Sequence, residues 1–264
     1  MTAALADLEA PASASPLHAS RTFAWRAILK LRTVPDRLMD VTFFPVMMVV
    51  MFTYLFGGAV AGSTTEYLQF VLPGLLAMMV LTTTPATGMA LNTDIARGAF
   101  DRYRSLPIWR PAPLVGALLA DAVRYGIGVT VMLAAGFAMG FRPDGGGAGL
   151  VGAALLIVVF AWSWSWIWTC VGLVARTPET VNALGISISF PLSFLSNVFV
   201  DPATLPGWLR AFVEHNPLSH LVTAMRGLIH GDLVGSELVW VLATIVVTTG
   251  VFAPMAVRLY QRER

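Results

Sequence analysis

The side chains able to ligate metal, attack a carbonyl or bind nucleotide are few in this 264-residue chain, and their spacing excludes most of that chemistry. His215, His220 and His230 lie five and ten residues apart. Those intervals do not stack imidazoles on one helical face, and no HExxH or cysteine pair accompanies them, so no metal site is expected. A serine hydrolase needs an activated Ser beside a His base. No GxSxG occurs, and all four His lie outside the long apolar runs. The only lysine, Lys30, stands in AILKLRT with no glycine nearby. A phosphate-binding loop is Gly-rich and ends in Lys-Ser/Thr, so the chain encodes no ATP site and no cofactor is expected in it. If ATP and Mg²⁺ drive this protein, another chain binds them. The lone Cys170 excludes an internal disulfide and is read as packing.

Carboxylates within apolar runs are the remaining candidates. Asp40 stands at the mouth of the first run and Asp121 a few residues into the third. Intramembrane acids suit proton coupling. Asp121, however, precedes Arg124 by three residues on the same helical face, so the two are expected to form a structural ion pair. Trp162, Trp164, Trp166 and Trp168, in WSWSWIW, circle their helix at about 100° per residue, as packing near an aromatic belt would. Asn182 and Asn197, at opposite ends of the fifth run, would find helix partners or line a path.

These residues are positioned by a membrane scaffold. The chain is 56% hydrophobic and 12% charged, with a mean hydropathy of +0.72. Soluble domains carry about 25% charged residues, so the fold class is all-α integral membrane. Six apolar runs are each near bilayer-spanning length: roughly 41–60, 70–91, 114–140, 150–174, 180–199 and 238–257. Between the second and third lies Asp94–Pro113, DIARGAFDRYRSLPIWRPAP, with Asp94, Arg97, Asp101, Arg102, Arg104 and Arg110. Each charge at mid-bilayer would cost about 3 kcal/mol, so the segment lies in water, and its arginines place it in the cytoplasm. Gly98 to Trp109 reads as one short helical piece broken at Pro107, with Phe100, Tyr103 and Leu106 on one side. Thirteen Lys and Arg fall on this side of the membrane, three on the other, and Arg124 within a span. Both termini are therefore expected in the cytoplasm. Where the arginines sit is a matter of topology, and no nucleic-acid partner is expected.

Three further segments complete the organisation. Residues 1–19 are Ala/Ser/Pro-rich and read as a disordered cytoplasmic tail. Residues 20–37 read as an amphipathic interfacial helix, with Arg26, Lys30, Thr33 and Arg37 on one face and Phe23, Ala27, Leu31 and Val34 beside them. The six-span domain would occupy 38–264. Within it, 200–236 is long, extracytoplasmic and half apolar, with helical candidates Leu205–Glu214 and Leu218–His230 divided by Asn216-Pro217. Neither is long enough to cross, so a re-entrant helical hairpin before the last span is expected.

With those residues in view, the chain resembles the type 2 ABC-transporter permeases, of the daunorubicin/doxorubicin-resistance exporter type. The resemblance rests on GAFDRYRSLPIWRPAPLVGALLAD, on FPLSFLSNVFVDPATLPGWLRAFVEHNPLSHLVTAMRGLIHG and on the amphipathic start FAWRAILKLRTVPDRLMDVTFFPVMMVVMFTYLFGG. It implies a half-transporter in the bacterial plasma membrane that pairs with a second, identical or related permease and with two ABC ATP-binding subunits. Gly98, Phe100, Asp101, Arg102, Tyr103, Arg104, Leu106 and Pro107 would form the coupling helix in a groove of the ATPase. Phe23, Arg26 and Lys30 of the N-terminal helix would help clamp that subunit. The resemblance further implies outward movement of a hydrophobic drug, natural product or lipid by alternating access. The path would run between the second and fifth spans, with Met78, Met79, Phe194 and Asn197 as lining candidates. The alternative from a different class is a stand-alone homodimeric proton-coupled carrier, in which Asp40 or Asp121 would be essential.

Overall fold

The computed structural model describes residues 15–33, 39, 42–98, 109, 111–199, 202–232 and 235–262, and among them the chain is helical, with no strand. In chain order the helices used below are α1 (Pro16–Thr33), α2 (Phe43–Ala61), α3 (Thr64–Thr83), α4 (Pro85–Ala96), α5 (Ala112–Ala138), α6 (Gly146–Val174), α7 (Pro178–Phe194), α8 (Gly207–His215), α9 (Pro217–His230) and α10 (Gly235–Arg262).

Five stretches of the described residues are long and apolar enough to cross a bilayer: α2, α3 continued by α4, α5, α6 and α10. The expected second span is longer than its apolar run. Ser63 accepts from the Glu66 N–H at 3.1 Å, an Ser-x-x-Glu start that brings the helix back to Thr64, and Pro85 then divides the 33-residue stretch. The expected fifth span, 180–199, is the 17-residue α7. It stops at Phe194 because the buried Asn216 donates from Nδ2 to the carbonyls of Leu192 (2.8 Å) and Leu195 (2.7 Å), taking the acceptors a helix end leaves open. The same Asn216 caps α9, its Oδ1 accepting from Leu218 N–H at 2.9 Å, so one side chain closes α7 and opens the helix after Pro217.

The amphipathic helix begins at Pro16, four residues before its expected start at residue 20, with Ser15 accepting from His18 N–H at 3.3 Å. Ser20 is instead buried inside the helix. The inward face, Ser20, Phe23, Ala24 and Ala27, packs on α5 at Gly116. A Cβ on Gly116 would lie 2.5 Å from Phe23 Cβ and 3.0 Å from the Ala24 backbone, so only glycine permits this approach. Trp25 and Leu29 point away from the bundle and stay exposed, as a surface facing the membrane interface would.

Two apolar clusters order the bundle. One gathers Leu91 and Ile95 of α4, Leu114 and Leu118 of α5, Trp166, Cys170 and Leu173 of α6, and Ala256 and Tyr260 of α10. With α1 docked at Gly116, the helix ends flanking the arginine-rich segment and the C-terminal end of α10 share one end of the bundle. The larger cluster centres on α3 and takes in α9, whose Leu218, Leu221, Val222, Met225 and Ile229 are buried at the opposite end. Of the most apolar stretch, 78% is buried in Thr64–Ala96, against 22% in α2 and 11% in α10. The second span is therefore the interior helix, while α2 and α10 offer their flanks to lipid or to a partner. α6 packs against α4, α5, α9 and α10.

Candidate functional site

Pro85 builds the site. It lacks an N–H, so the carbonyl of Leu81 loses its helical partner, a costly loss where no water reaches. Ser189 of α7 supplies the donor instead, its hydroxyl reaching Leu81 O at 2.8 Å. The three threonines before the break turn their hydroxyls back onto their own helix, with Thr83 to Met79 O at 2.7 Å and Thr84 to Val80 O at 2.8 Å. Gly185 brings α7 onto the Pro85 ring, where a Cβ would meet the proline Cβ at 2.8 Å. The helix breaks at Pro85, and α7 is fastened across the break.

A cavity of about 480 Å³ opens beside this junction, lined by Thr82, Met89 and Thr93, by Asp121 and Arg124 of α5, and by Asn182, Ile186 and Phe190 of α7, among others. Its floor is a polar network. Arg124 Nη2 lies 2.9 Å from Asp121 Oδ1. Thr87 donates to Asp121 Oδ2 at 2.7 Å and lies 3.1 Å from the Tyr125 hydroxyl, which lies 2.7 Å from Ser165 Oγ. Three helices, α4, α5 and α6, thus share one hydrogen-bonded chain. Both side chains line the cavity, and the acid, 18% exposed against 4% for Arg124, is the more open member of the pair. A charge this deep is tolerable only because it is paired.

α4, which walls the cavity, is locked to α6 before it reaches the arginine-rich segment. Gly88 and Gly172 let the two backbones touch, a Cβ on Gly88 meeting Trp168 O at 2.3 Å and one on Gly172 meeting Gly88 O at 2.4 Å. Asn92 then donates from Nδ2 to Gly172 O (3.0 Å) and Ala175 O (2.6 Å), closing the end of α6. These contacts hold α4 and α6 together at the end of α4 that leads into the arginine-rich segment.

The expected site residues distribute as follows. Gly98 follows α4 in a turn with φ of +68°, its N–H donating to Ile95 O at 2.9 Å. Phe100, Asp101, Arg102, Tyr103, Arg104, Leu106 and Pro107 lie outside the described residues, as does Asp40. Phe23 is half-buried against α5, and Arg26 is exposed with its guanidinium 5.9 Å above the Phe23 ring. Lys30 lies within α1, its side chain outside the described set. Met78 and the buried Met79 line a separate void of about 20 Å³, room for about one water. Asn197 is buried, donating to Thr223 Oγ1 at 2.8 Å, whereas Phe194 is exposed. In this chain Met79 and Asn197 are thus buried and Phe194 is exposed, and the four candidates do not line one cavity. Asn182 does reach the cavity.

The histidines are held in local contacts. His220 Nδ1 lies 2.5 Å from Glu237 Oε2, His230 Nδ1 3.6 Å from Asp144 Oδ2, and His215 Nδ1 2.8 Å from Ala211 O. No metal-holding group of His, Cys, Asp or Glu occurs among the described residues. Trp166 and Trp168 are buried in the bundle. Arg226, which gave no signal beyond its charge, brackets α9 to α3: it donates to Phe70 O at 3.0 Å and to Asn197 O at 3.1 Å, with its guanidinium 3.8 Å from the Phe70 ring centroid.

The membrane-buried scaffold has counterparts among known proteins. Residues 19–230 match the family model described as ABC-2 type transporter. The chain is 46% identical over 255 residues to the daunorubicin resistance ABC transporter permease protein DrrB1 of Streptomyces coeruleorubidus, covering 97% of this chain and 90% of the relative. It is 26% identical to the probable doxorubicin resistance ABC transporter permease protein DrrC of Mycobacterium tuberculosis, over 92% and 89% of the two chains. The inner membrane transport permease YadH of Escherichia coli is 23% identical, over 69% and 72%. With a family model across most of its length and a relative at 46% identity, the chain belongs to the ABC-2 type transporter family, as a multi-pass permease subunit of an ABC exporter and not its ATPase.

Proposed function

We propose that this permease moves a hydrophobic drug or natural product outward across the bacterial plasma membrane, powered by two ABC ATP-binding subunits that bind ATP and Mg²⁺. α7 serves as the fifth of six spans, α1 lies in the inner interface, the α8–α9 pair forms an outer re-entrant hairpin, and both termini are cytoplasmic. A second copy, or a related permease, completes the pathway. The Gly98–Pro107 segment seats in the ATPase, and Phe23, Arg26 and Lys30 of α1 steady it.

The observation that supports this reading best is the cavity between α4, α5 and α7. Its polar groups, Asp121, Arg124 and Asn182, stand in apolar helices beside α4, the helix that precedes the arginine-rich segment in sequence, and α4 and α6 would carry a pull on that segment to the cavity walls. Cargo identity is drawn from the relatives, two of which are named for daunorubicin or doxorubicin resistance. The test is a detergent pull-down of the tagged permease expressed with its neighbouring genes, followed by an ATPase assay. A co-purifying ATP-binding subunit whose recovery falls when residues 98–107 are altered supports the assignment. A homodimer without ATPase activity, and with transport driven by a proton gradient and lost in Asp121→Asn, would instead establish a secondary carrier.

A further inference from the structure

A second hollow, of about 370 Å³, lies between α6, α7 and α10. Thr180 and Leu184 face it from α7, and at about 100° per residue they stand opposite Asn182, Gly185 and Ser189, which line the polar cavity. The two hollows are therefore separate. This one is a slot along the helices, its lining running on α6 from Ile167 to Val174 and on α10 from Phe252 to Leu259. At 1.5 Å per residue that is about 10 Å, two-thirds of the ~15 Å of hydrocarbon in one leaflet. α7 packs chiefly on α3, α4 and α6, and α10 on α6 and α9, so α6 backs the slot. Its front is open, with Val174, Leu184 and Met255 exposed. The walls offer a polar molecule little: Cys170 Sγ turns to Phe252 O at 3.4 Å, and Thr180 Oγ1 lies 3.2 Å from Thr177 Oγ1. The mouth differs. Arg176 directly follows Ala175 of the lining, and Arg258 directly precedes Leu259. Both are exposed, and neither is paired with an acid among the described residues, whereas Arg124 and Arg210 are. In sequence, 176–179 and 258–264 carry Arg176, Arg258, Arg262 and Arg264 against Glu179 and Glu263.

We propose that the slot holds one acyl chain of an anionic phospholipid, whose headgroup meets Arg176 and Arg258, and that this lipid is a resident of the fold and not a cargo. Apolar walls with positive charge at one end match an amphiphile of that shape. A helix of a second copy would cover the walls equally but would leave both guanidiniums without a counter-charge. With both termini cytoplasmic, as the exporter reading has them, the mouth lies among the headgroups of the inner leaflet. Basic residues between spans on that side select anionic headgroups. The second acyl chain stays in the bilayer. By filling the slot the lipid ties α10 to α7, two helices that share no substantial packing of their own, and it steadies the turn between α6 and α7.

The test titrates the full-length permease in mild detergent with dioleoylphosphatidylglycerol and, separately, with dioleoylphosphatidylcholine, and reads bound lipid by native mass spectrometry. The two probes share their chains, so phosphatidylglycerol should bind more tightly through its negative headgroup. Arg176→Gln/Arg258→Gln should raise the phosphatidylglycerol dissociation constant about thirtyfold, the combined loss of two basic contacts, and hold that of phosphatidylcholine within about twofold. Leu184→Trp, which fills the slot from an exposed position, should weaken both lipids about fivefold or more. Arg97→Gln removes an exposed charge outside the slot lining and should change neither. Equal affinity for the two lipids in the unaltered protein overturns the proposal. A loss of phosphatidylglycerol in Arg97→Gln as large as in the double variant overturns it too, because the charge effect would then belong to the whole surface. A dimer that falls apart in Leu184→Trp with lipid affinity intact assigns the slot to a second copy and likewise overturns it. The assay uses neither ATP nor cargo, so its result and that of the exporter reading are obtained separately.

Discussion

Removing either member of the Asp121–Arg124 pair should have unequal consequences, and the burial of the two side chains sets the order. Arg124 is 4% exposed and Asp121 18%, at 2.9 Å. Asp121→Ala strands a guanidinium that is almost wholly buried, and stranding a buried charge costs about 3–5 kcal/mol. Arg124→Met strands a carboxylate that keeps the Thr87 hydroxyl at 2.7 Å and faces the cavity, which lowers the expected loss to about 1–3 kcal/mol. The double variant leaves no unpaired charge and should cost about as much as Arg124→Met alone, so the cycle should show strong non-additivity. The protein carries its own reporter, because the single cysteine, Cys170, is buried between α6 and α10, and its labelling by a thiol-sensitive fluorophore should speed up as the bundle opens. Unfolding of the four proteins in mild detergent, followed through Cys170 labelling, gives the cycle directly. Equal costs for the single variants, or a double variant costing their sum, would show that the two charges are not coupled in this way.

Ser189→Ala should expose the Pro85 break: with Leu81 O left without a donor, stability should fall by about 1–3 kcal/mol, and Pro85→Ala in the same protein should recover part of that loss by restoring the helical N–H. The check is Cys170 labelling of the single and double variants. Gly116→Leu places a Cβ 2.5 Å from Phe23 Cβ, about 1 Å inside contact distance, and should release α1 from α5 at a cost of about 1–3 kcal/mol. Hydrogen exchange should then show faster exchange in α1 with α3 and α6 unchanged; equal protection of α1 in both proteins would contradict the docking.

What could be read from the sequence follows from the range of the interactions involved. The α8–α9 boundary was legible because Asn216-Pro217 acts locally, and the Asp121–Arg124 pair because three residues on a helix fix its geometry. The break at Pro85 was not legible, since hydropathy sees an unbroken apolar run and the compensation comes from Ser189, more than 100 residues away. The early stop of α7 likewise depends on Asn216, which is distant in sequence from the carbonyls it takes. The sequence puts the start of α1 too late because Ser15 and Ser20 are both cap residue types, and only docking on Gly116 shows that Ser20 is interior. Met79 and Asn197 are buried away from the cavity, where Asp121 of α5 meets Asn182 and Phe190 of α7 from two separate helices. Periodicity identifies a helix face but not what that face meets.

In the proposed mechanism, ATP hydrolysed by a partner moves cargo through this chain by way of the segment after α4. Inside-out vesicles containing the permease and its ATP-binding partner, supplied with daunorubicin as a fluorescent probe, test it most directly. ATP should drive daunorubicin accumulation, and Arg102→Ala/Leu106→Ala should abolish accumulation while the permease still inserts and the partner still hydrolyses ATP. Accumulation in vesicles that lack the partner, or undiminished accumulation by the double variant, would contradict the account.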